Sequence, residues 1–188
     1  ECQYSPVPEV SKGMGKGSTI SFSKLKTILK YSNYSWADIE KNLISIKEGY
    51  AGKEISIRFP LLIDKKFGSI VGHILGDGSI TKKSKHISFS NNNQDLLKEF
   101  SNFMEGIFGV KPRIWMQKTP NFEGKTGWEK RLNGIDELKR NRNCSLFYPK
   151  ICGVLLNIIF EDFSVGKHKK ITSPIKKMNK DFKMGFTR

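Results

Sequence analysis

Acidic residues are scarce in this chain of 188 residues: 18 Asp and Glu stand against 33 Lys and Arg, for a formal charge of +15 and a pI near 9.7. So basic a surface favours polyanions, with nucleic acid first and anionic membrane second. Long hydrophobic runs are missing too. No stretch supplies the roughly 20 apolar residues of a bilayer-spanning helix, and no secretory signal, basic amphipathic helix or lipidation motif is visible; no membrane partner is expected. Cysteine is limited to Cys2, Cys144 and Cys152, an odd number with no CxxC pair, which argues against a disulfide framework. A reducing intracellular compartment, cytoplasm or organelle, is the expected location.

Glycine, in contrast, is plentiful where it is least favoured. In Gly68-Ser-Ile-Val-Gly-His-Ile-Leu-Gly-Asp-Gly-Ser-Ile80 glycines recur at 68, 72 and 76 along an apolar helical pattern. Each costs roughly 1 kcal/mol relative to alanine inside a helix, and the four-residue spacing puts all three on one face. Such a ridge lets a second helix approach almost backbone to backbone. The spacing therefore predicts a tight helix pair with Gly68, Gly72 and Gly76 at the interface, and His73 as a core or interface histidine. Asp77 ends the helix, where unpaired carbonyls and the negative end of the macrodipole oppose a carboxylate. A hard divalent cation would offset both, with the Asp77 carboxylate and the Gly76 carbonyl as ligands. The plainer reading is an Asp-Gly turn that ends a helix and begins a hairpin.

Residues 1–20 carry Pro and Gly without periodicity and read as a loose leader. The Gly-Met-Gly-Lys-Gly-Ser run at 13–18 lacks the Gly-Lys-Ser/Thr order of a phosphate loop. Residues 21–62 read as a small module. It has a helix with Phe22, Leu25, Ile28 and Leu29 on one side, and a second helix opened by a Ser35–Asp38 capping box with Trp36, Ile39 and Leu43 inward. A strand with Ile55, Ile57 and Phe59 follows. The module is either a DNA-contacting helical hairpin or a packing appendage.

Residues 63–188 continue from the glycine helix with short strands at 79–81 and 86–90 about a turn at 82–85. A helix opened by Asn91–Asp95 follows, with Leu96, Leu97, Phe100, Phe103, Met104 and Ile107 on its apolar face and Gly109 at its end. Strands at 110–117 and 143–147 and an apolar helix at 150–160 complete the order. The fold class expected is α+β: an antiparallel sheet with helices on one face and polar and basic side chains on the other. The stretch 118–142 is long for a plain connection.

The run Ile70-Val-Gly-His-Ile-Leu-Gly-Asp-Gly78 resembles the signature of the LAGLIDADG homing endonucleases, with Gly72, Gly76, Asp77 and Gly78 at matching positions and His73 where an aliphatic residue is usual. The resemblance covers about 65–188, and the element order αββαββα is that of the family's repeating half. In that family two such helices pack centrally, each brings one acidic residue to a pair of metal ions, and two sheets form a saddle over double-stranded DNA. The resemblance implies a site-specific, Mg²⁺-dependent DNA endonuclease of intron or intein mobility, with Ca²⁺ or Mn²⁺ able to substitute in binding. Asp77 would be the metal ligand, with the Gly76 carbonyl beside it. Lys167, Lys169 and Lys170, in a basic loop after the last helix, are candidates for the lysine that polarises solvent at the scissile phosphate. Lys82, Lys83, Lys85, Ser88, Ser90, Arg113, Trp115, Gln117, Lys130 and Arg131 would line the DNA groove.

Two metal ions call for two acidic residues, and one motif supplies one. The resemblance thus implies a second LAGLIDADG motif, in a second subunit or in the continuing chain. Phe182-Lys-Met-Gly-Phe-Thr-Arg188 resembles the opening of that second helix. So short a piece is expected to leave the glycine ridge uncovered, and the fragment to self-associate or to bind DNA without cutting. The alternatives are a non-catalytic DNA- or RNA-binding relative, such as a splicing maturase or transcription regulator, and a basic structural protein of ribonucleoprotein particles. Only three histidines are present, which supports an HNH-type nuclease poorly. Gly134-Ile-Asp-Glu-Leu-Lys-Arg140 places its acidic string in a polar stretch rather than on an apolar strand.

Overall fold

The structure, a computed structural model, describes residues 20–47, 54–57, 60–81, 85–118, 127–138, 142–160 and 171–187. Of two compact units, the smaller ends at Asn42 and the larger begins at Leu43. In the smaller unit α1 (Phe22–Lys30) starts from Ser21, whose side chain accepts the Lys24 amide. The helix α2 (Trp36–Asn42) opens with a reciprocal capping box: Ser35 Oγ accepts the Asp38 amide, and the Asp38 carboxylate accepts the Ser35 amide. Trp36, expected to face inward, is 44% exposed, and α2 buries no residue. Two turns are too short to sustain an apolar stripe.

Residues 43–57, grouped above with this hairpin, belong to the larger unit. Ile46 and Ile55 make an isolated antiparallel bridge rather than a strand, and Ile55 and Ile57 are buried in the larger unit's core. The apolar alternation here reports burial at the edge of a core, not a ladder. The division between the two compact units falls between Asn42 and Leu43.

The core of the larger unit is built on α3 (Lys65–Gly76), which Asp64 opens by accepting the Phe67 amide and which buries Phe67, Ile70, Val71 and Ile74. Strands β1 (Gly78–Ile80) and β2 (Ile87–Asn91) pair antiparallel. Asn93 caps α4 (Gln94–Phe108) by accepting the Asp95 and Leu96 amides, and Gly109 closes it at φ 63, the left-handed position that suits glycine. Strands β3 (Arg113–Gln117), β4 (Trp128–Leu132) and β5 (Cys144–Phe147) complete one antiparallel sheet in the order β1-β2-β5-β3-β4. Helices α5 (Lys150–Phe160), α6 (Ser173–Lys177) and α7 (Lys180–Phe186) follow. Among the described residues no helix is long and apolar enough to cross a membrane.

Register sorts the two faces of the sheet. Leu146 lies opposite both Phe89 and Ile114, and Ile114 opposite Leu132; all four are buried in the face that packs with the helices. One step along each strand, Ser88 faces Phe147 and Ser79, Ser90 faces Ser145, and Trp115 faces both Ser145 and Arg131, all on the opposite face. The added element is β4, which turns part of the 118–142 stretch into a fifth strand. Only Leu132 of its residues is buried. An edge strand lacking alternation is defined by its bonds to β3, not by hydrophobic period.

The glycine ridge is covered. A Cβ on Gly68 would overlap the Phe182 carbonyl oxygen and lie 3.1 Å from the Phe186 nitrogen, and one on Gly72 would lie 2.7 Å from the Phe186 oxygen. In return, a Cβ on Gly185 would overlap the Lys65 carbonyl oxygen and lie 2.9 Å from the Ser69 nitrogen. These contacts are reciprocal, so a two-fold relation between α3 and α7 exchanges Gly68 with Gly185, Lys65 with Phe182 and Ser69 with Phe186. Phe182 is fully buried against Phe67 and Phe160, with centroids 6.5 and 5.8 Å away. Seven residues of α7 thus suffice to cover Gly68 and Gly72, contrary to the expectation of an exposed ridge. Gly76 departs from the pattern. Among the described residues a Cβ there would meet nothing within 4 Å, so α7 does not require glycine at this position.

Candidate functional site

Asp77 is placed by the abrupt change from α3 to β1. Its amide donates to the His73 carbonyl at 3.0 Å, closing the helix. At the next residue the strand has already begun, so close to α3 that a Cβ on Gly78 would lie 2.6 Å from the Ile74 Cα. Glycine at 78 is what permits so sharp a reversal. The turn reading is therefore correct as geometry, and it leaves the Asp77 carboxylate exposed at the negative end of a helix.

Among the described residues, one hydrogen bond holds that carboxylate. Asn91, the last residue of β2, donates from Nδ2 to Asp77 Oδ2 at 2.8 Å. Ser90, Asn92 and Asn143 line the same open depression. From there a polar chain crosses the sheet. Ser90 and Ser145 hydroxyls are 2.5 Å apart, Gln117 Nε2 donates to Ser145 Oγ at 3.1 Å, and Asn143 Nδ2 donates to Gln117 Oε1 at 2.7 Å. A second hydroxyl pair, Ser79 with Ser88 at 2.8 Å, lies on the β1 side. Towards β4 the polar surface gives way to rings: Trp128, 45% exposed, is 6.2 Å from Trp115 and 5.4 Å from Phe147, centroid to centroid.

His73 sits on the helix side of Asp77, its ring packed at 5.3 Å from Phe89 and 5.9 Å from Phe100, with Nε2 4.0 Å from Glu99 Oε1. Burial pushes its pKa below the ordinary value, and the charges of Glu99 and Asp77 pull the other way. It packs against the core as expected, but its buried Nε2 has no hydrogen-bond partner among the described residues, so it is not a satisfied histidine. Among the described residues no three of His, Cys, Asp and Glu gather into a metal-binding group. The donors at Asp77 are all oxygen, the kind a hard cation takes, but with one carboxylate they fit only half of a two-ion site.

Of the expected groove residues, Ser88, Ser90, Arg113, Trp115, Gln117 and Arg131 do share the face away from the helices. Two do not. Lys85, with φ 53, donates from Nζ to Asn157 Oδ1 on α5 at 3.3 Å, which ties it to the helix layer. Lys130 stands opposite the buried Met116 and so on the helix-side parity, 4.0 Å from Glu137. Lys82, Lys83, Lys167, Lys169 and Lys170 lie outside the described residues. Reasoning from residue types alone missed Asn91, Asn143, Ser145, Phe147 and Trp128.

Residues 64–143 match the family model described as a LAGLIDADG-like domain. The chain carries a LAGLIDADG-like domain. Its match opens at Asp64, the cap of α3, and closes at Asn143, just before β5; it contains the glycine helix, Asp77, and strands β1 to β4. No curated protein matches the chain. The LAGLIDADG family comprises homing endonucleases and maturases; its members generally are nucleases that bind DNA, often dimerise and typically use divalent metals.

Proposed function

We propose that this chain is the DNA-binding and cleaving half of a site-specific, Mg²⁺-dependent endonuclease of intron or intein mobility, which makes double-strand breaks. The observation that carries the reading is the placement of Asp77: an exposed carboxylate at a helix C-terminus, beside the sheet face that bears Arg113 and Arg131. Asp77 and the Gly76 carbonyl would hold the cation, which would supply Lewis acidity at the scissile phosphate. Arg113 and Arg131 engage phosphates, whereas Ser88, Ser90, Trp115 and Gln117 meet base edges. The hydrogen-bonded chain from Ser90 to Asn143 fixes the donors and acceptors that this face presents. Lys82 and Lys83 belong to the same groove by position in the sequence, and Lys167, Lys169 and Lys170 are the candidates for polarising solvent.

The second carboxylate comes from a second LAGLIDADG motif. The two-fold relation that exchanges Gly68 with Gly185 carries Asp77 onto the line of α7 beyond its last turn. A second subunit docking through the same ridge is disfavoured, because α7 already covers Gly68 and Gly72. A reducing intracellular compartment fits Cys144 and Cys152, both buried and neither in a disulfide among the described residues.

One observation favours a second reading, a maturase or regulator that binds nucleic acid without cutting: among the described residues lining the depression, Asp77 is the one carboxylate. Selection of plasmids from a randomised library separates the two. With the second LAGLIDADG motif supplied, the endonuclease reading requires linear products at one recovered site with Mg²⁺ present; recovery of a bound site that then stays uncut supports the maturase or regulator.

A further inference from the structure

Asn91 belongs by parity to the face of β2 that carries Ile87 and Phe89, both buried. A polar residue ends that apolar face where the strand emerges beside the C-terminus of α3. Its amide orientation follows from its neighbours: Oδ1 accepts the Asn93 backbone amide at 2.8 Å, which only an oxygen can do, so Nδ2 is the atom that faces Asp77. Asn93 in turn is held by its side chain, which accepts the Asp95 and Leu96 amides at the start of α4. Asn91 thus meets the carboxylate directly before a fifteen-residue helix, its own orientation set by the Asn93 backbone amide rather than by the Asn93 side chain.

We propose that Asn91 is a positioning residue for cation binding: by engaging Oδ2 it sets the plane of the Asp77 carboxylate and leaves Oδ1 as the single oxygen presented to a divalent ion. The inference rests on the reading of Asp77 as a metal ligand. A free carboxylate rotates about its terminal torsion and offers one or two oxygens to an ion; a neutral amide donor on one oxygen removes that freedom without adding charge. Hydrogen bonds to a ligating carboxylate are worth about 10–100-fold in metal affinity or activity when removed.

The test measures Mn²⁺ binding by electron paramagnetic resonance on the full chain with a duplex it binds, for the wild type, Asn91→Ala, Asn93→Ala and Asp77→Asn. Asn91→Ala is expected to weaken Mn²⁺ binding about tenfold or more with duplex affinity unchanged. Asn93→Ala loosens the α4 cap yet keeps the Asn91 donor, so its Mn²⁺ affinity should equal that of the wild type while its melting temperature falls. That pair separates positioning from general loosening of this corner. If Asn91→Ala binds Mn²⁺ as the wild type does while Asp77→Asn does not, the positioning role is overturned and the ligand reading survives. If Asp77→Asn also binds as the wild type does, or the wild type binds no Mn²⁺, the ligand reading itself fails and the inference with it.

Discussion

Replacing Gly68 by alanine should destabilise the larger unit, although alanine is the better helix former. The substitution alone would gain about 1 kcal/mol in helix propensity. Against this, the new methyl would overlap the Phe182 carbonyl oxygen and sit 3.1 Å from the Phe186 nitrogen. Both are backbone atoms, so no rotamer change relieves the overlap, and α3 and α7 must separate. Overpacking of this kind costs about 1–3 kcal/mol. Separation also loosens Phe182, a fully buried ring whose burial is worth about 1.5–3 kcal/mol. The net effect is a loss of about 2 kcal/mol. Gly76→Ala is the internal control. It has nothing within 4 Å of the new methyl, so it should keep its propensity gain of about 0.5–1 kcal/mol. At about 2–4 °C per kcal/mol for a chain of this size, the two alanine variants should melt about 5–12 °C apart, in opposite directions from the wild type. Gly185→Ala should mirror Gly68→Ala, and the double variant should fall short of additivity because both methyls open the same seam. Calorimetry or urea denaturation reads this directly. A Gly68→Ala protein as stable as Gly76→Ala would show that the helices do not meet along the ridge.

Two further outcomes concern the sheet face and His73. Affinity for duplex DNA should fall steeply with salt, and Arg113→Ala with Arg131→Ala should lower the slope of log affinity against log salt by up to about 2, whereas Lys130→Ala, on the other parity, should leave it unchanged; equal slopes for both would place the DNA elsewhere. Burial keeps the folded-state pKa of His73 below its ordinary 6.5, so the unfolded chain takes up the proton first. The stability contributed by the neutral ring is complete above about 6.5 and is lost as pH falls from there through the folded value. Urea midpoints between pH 7.5 and 5 should decline, and His73→Leu should flatten that decline; an identical slope in the variant would exonerate His73.

Much of the fold is legible because its signals are local. Gly109 marks the end of α4, the apolar run 150–160 is α5 to the residue, and alternation puts Arg113, Trp115 and Gln117 on one face. What escapes a reading by period is whatever depends on neighbours in space. Strand β4 is an edge strand with both faces exposed save Leu132, so it carries no alternation. Lys85 and Lys130 share their charge with Arg113 and Arg131 of the sheet face away from the helices, but a left-handed backbone turns one to α5 and strand parity turns the other to Glu137. Asn91 is hidden among three consecutive asparagines that all suit a helix start. Its available signal was parity, since it continues the buried positions Ile87 and Phe89 with a polar side chain. The coverage of the ridge was missed for a simpler reason: close backbone contact needs only the first two turns of a partner helix, and α7 provides them.

The central claim, that Asp77 carries divalent-metal chemistry on bound DNA, is tested most directly by comparing the wild type with Asp77→Asn, each with the second LAGLIDADG motif supplied, on a duplex recovered by selection, in Mg²⁺ and in Ca²⁺, with binding and cleavage measured side by side. The account predicts that the variant binds within about tenfold of the wild type, since one charge among many phosphate contacts is altered, and that double-strand cleavage in Mg²⁺ is abolished. Cleavage by Asp77→Asn at the wild-type rate would contradict it.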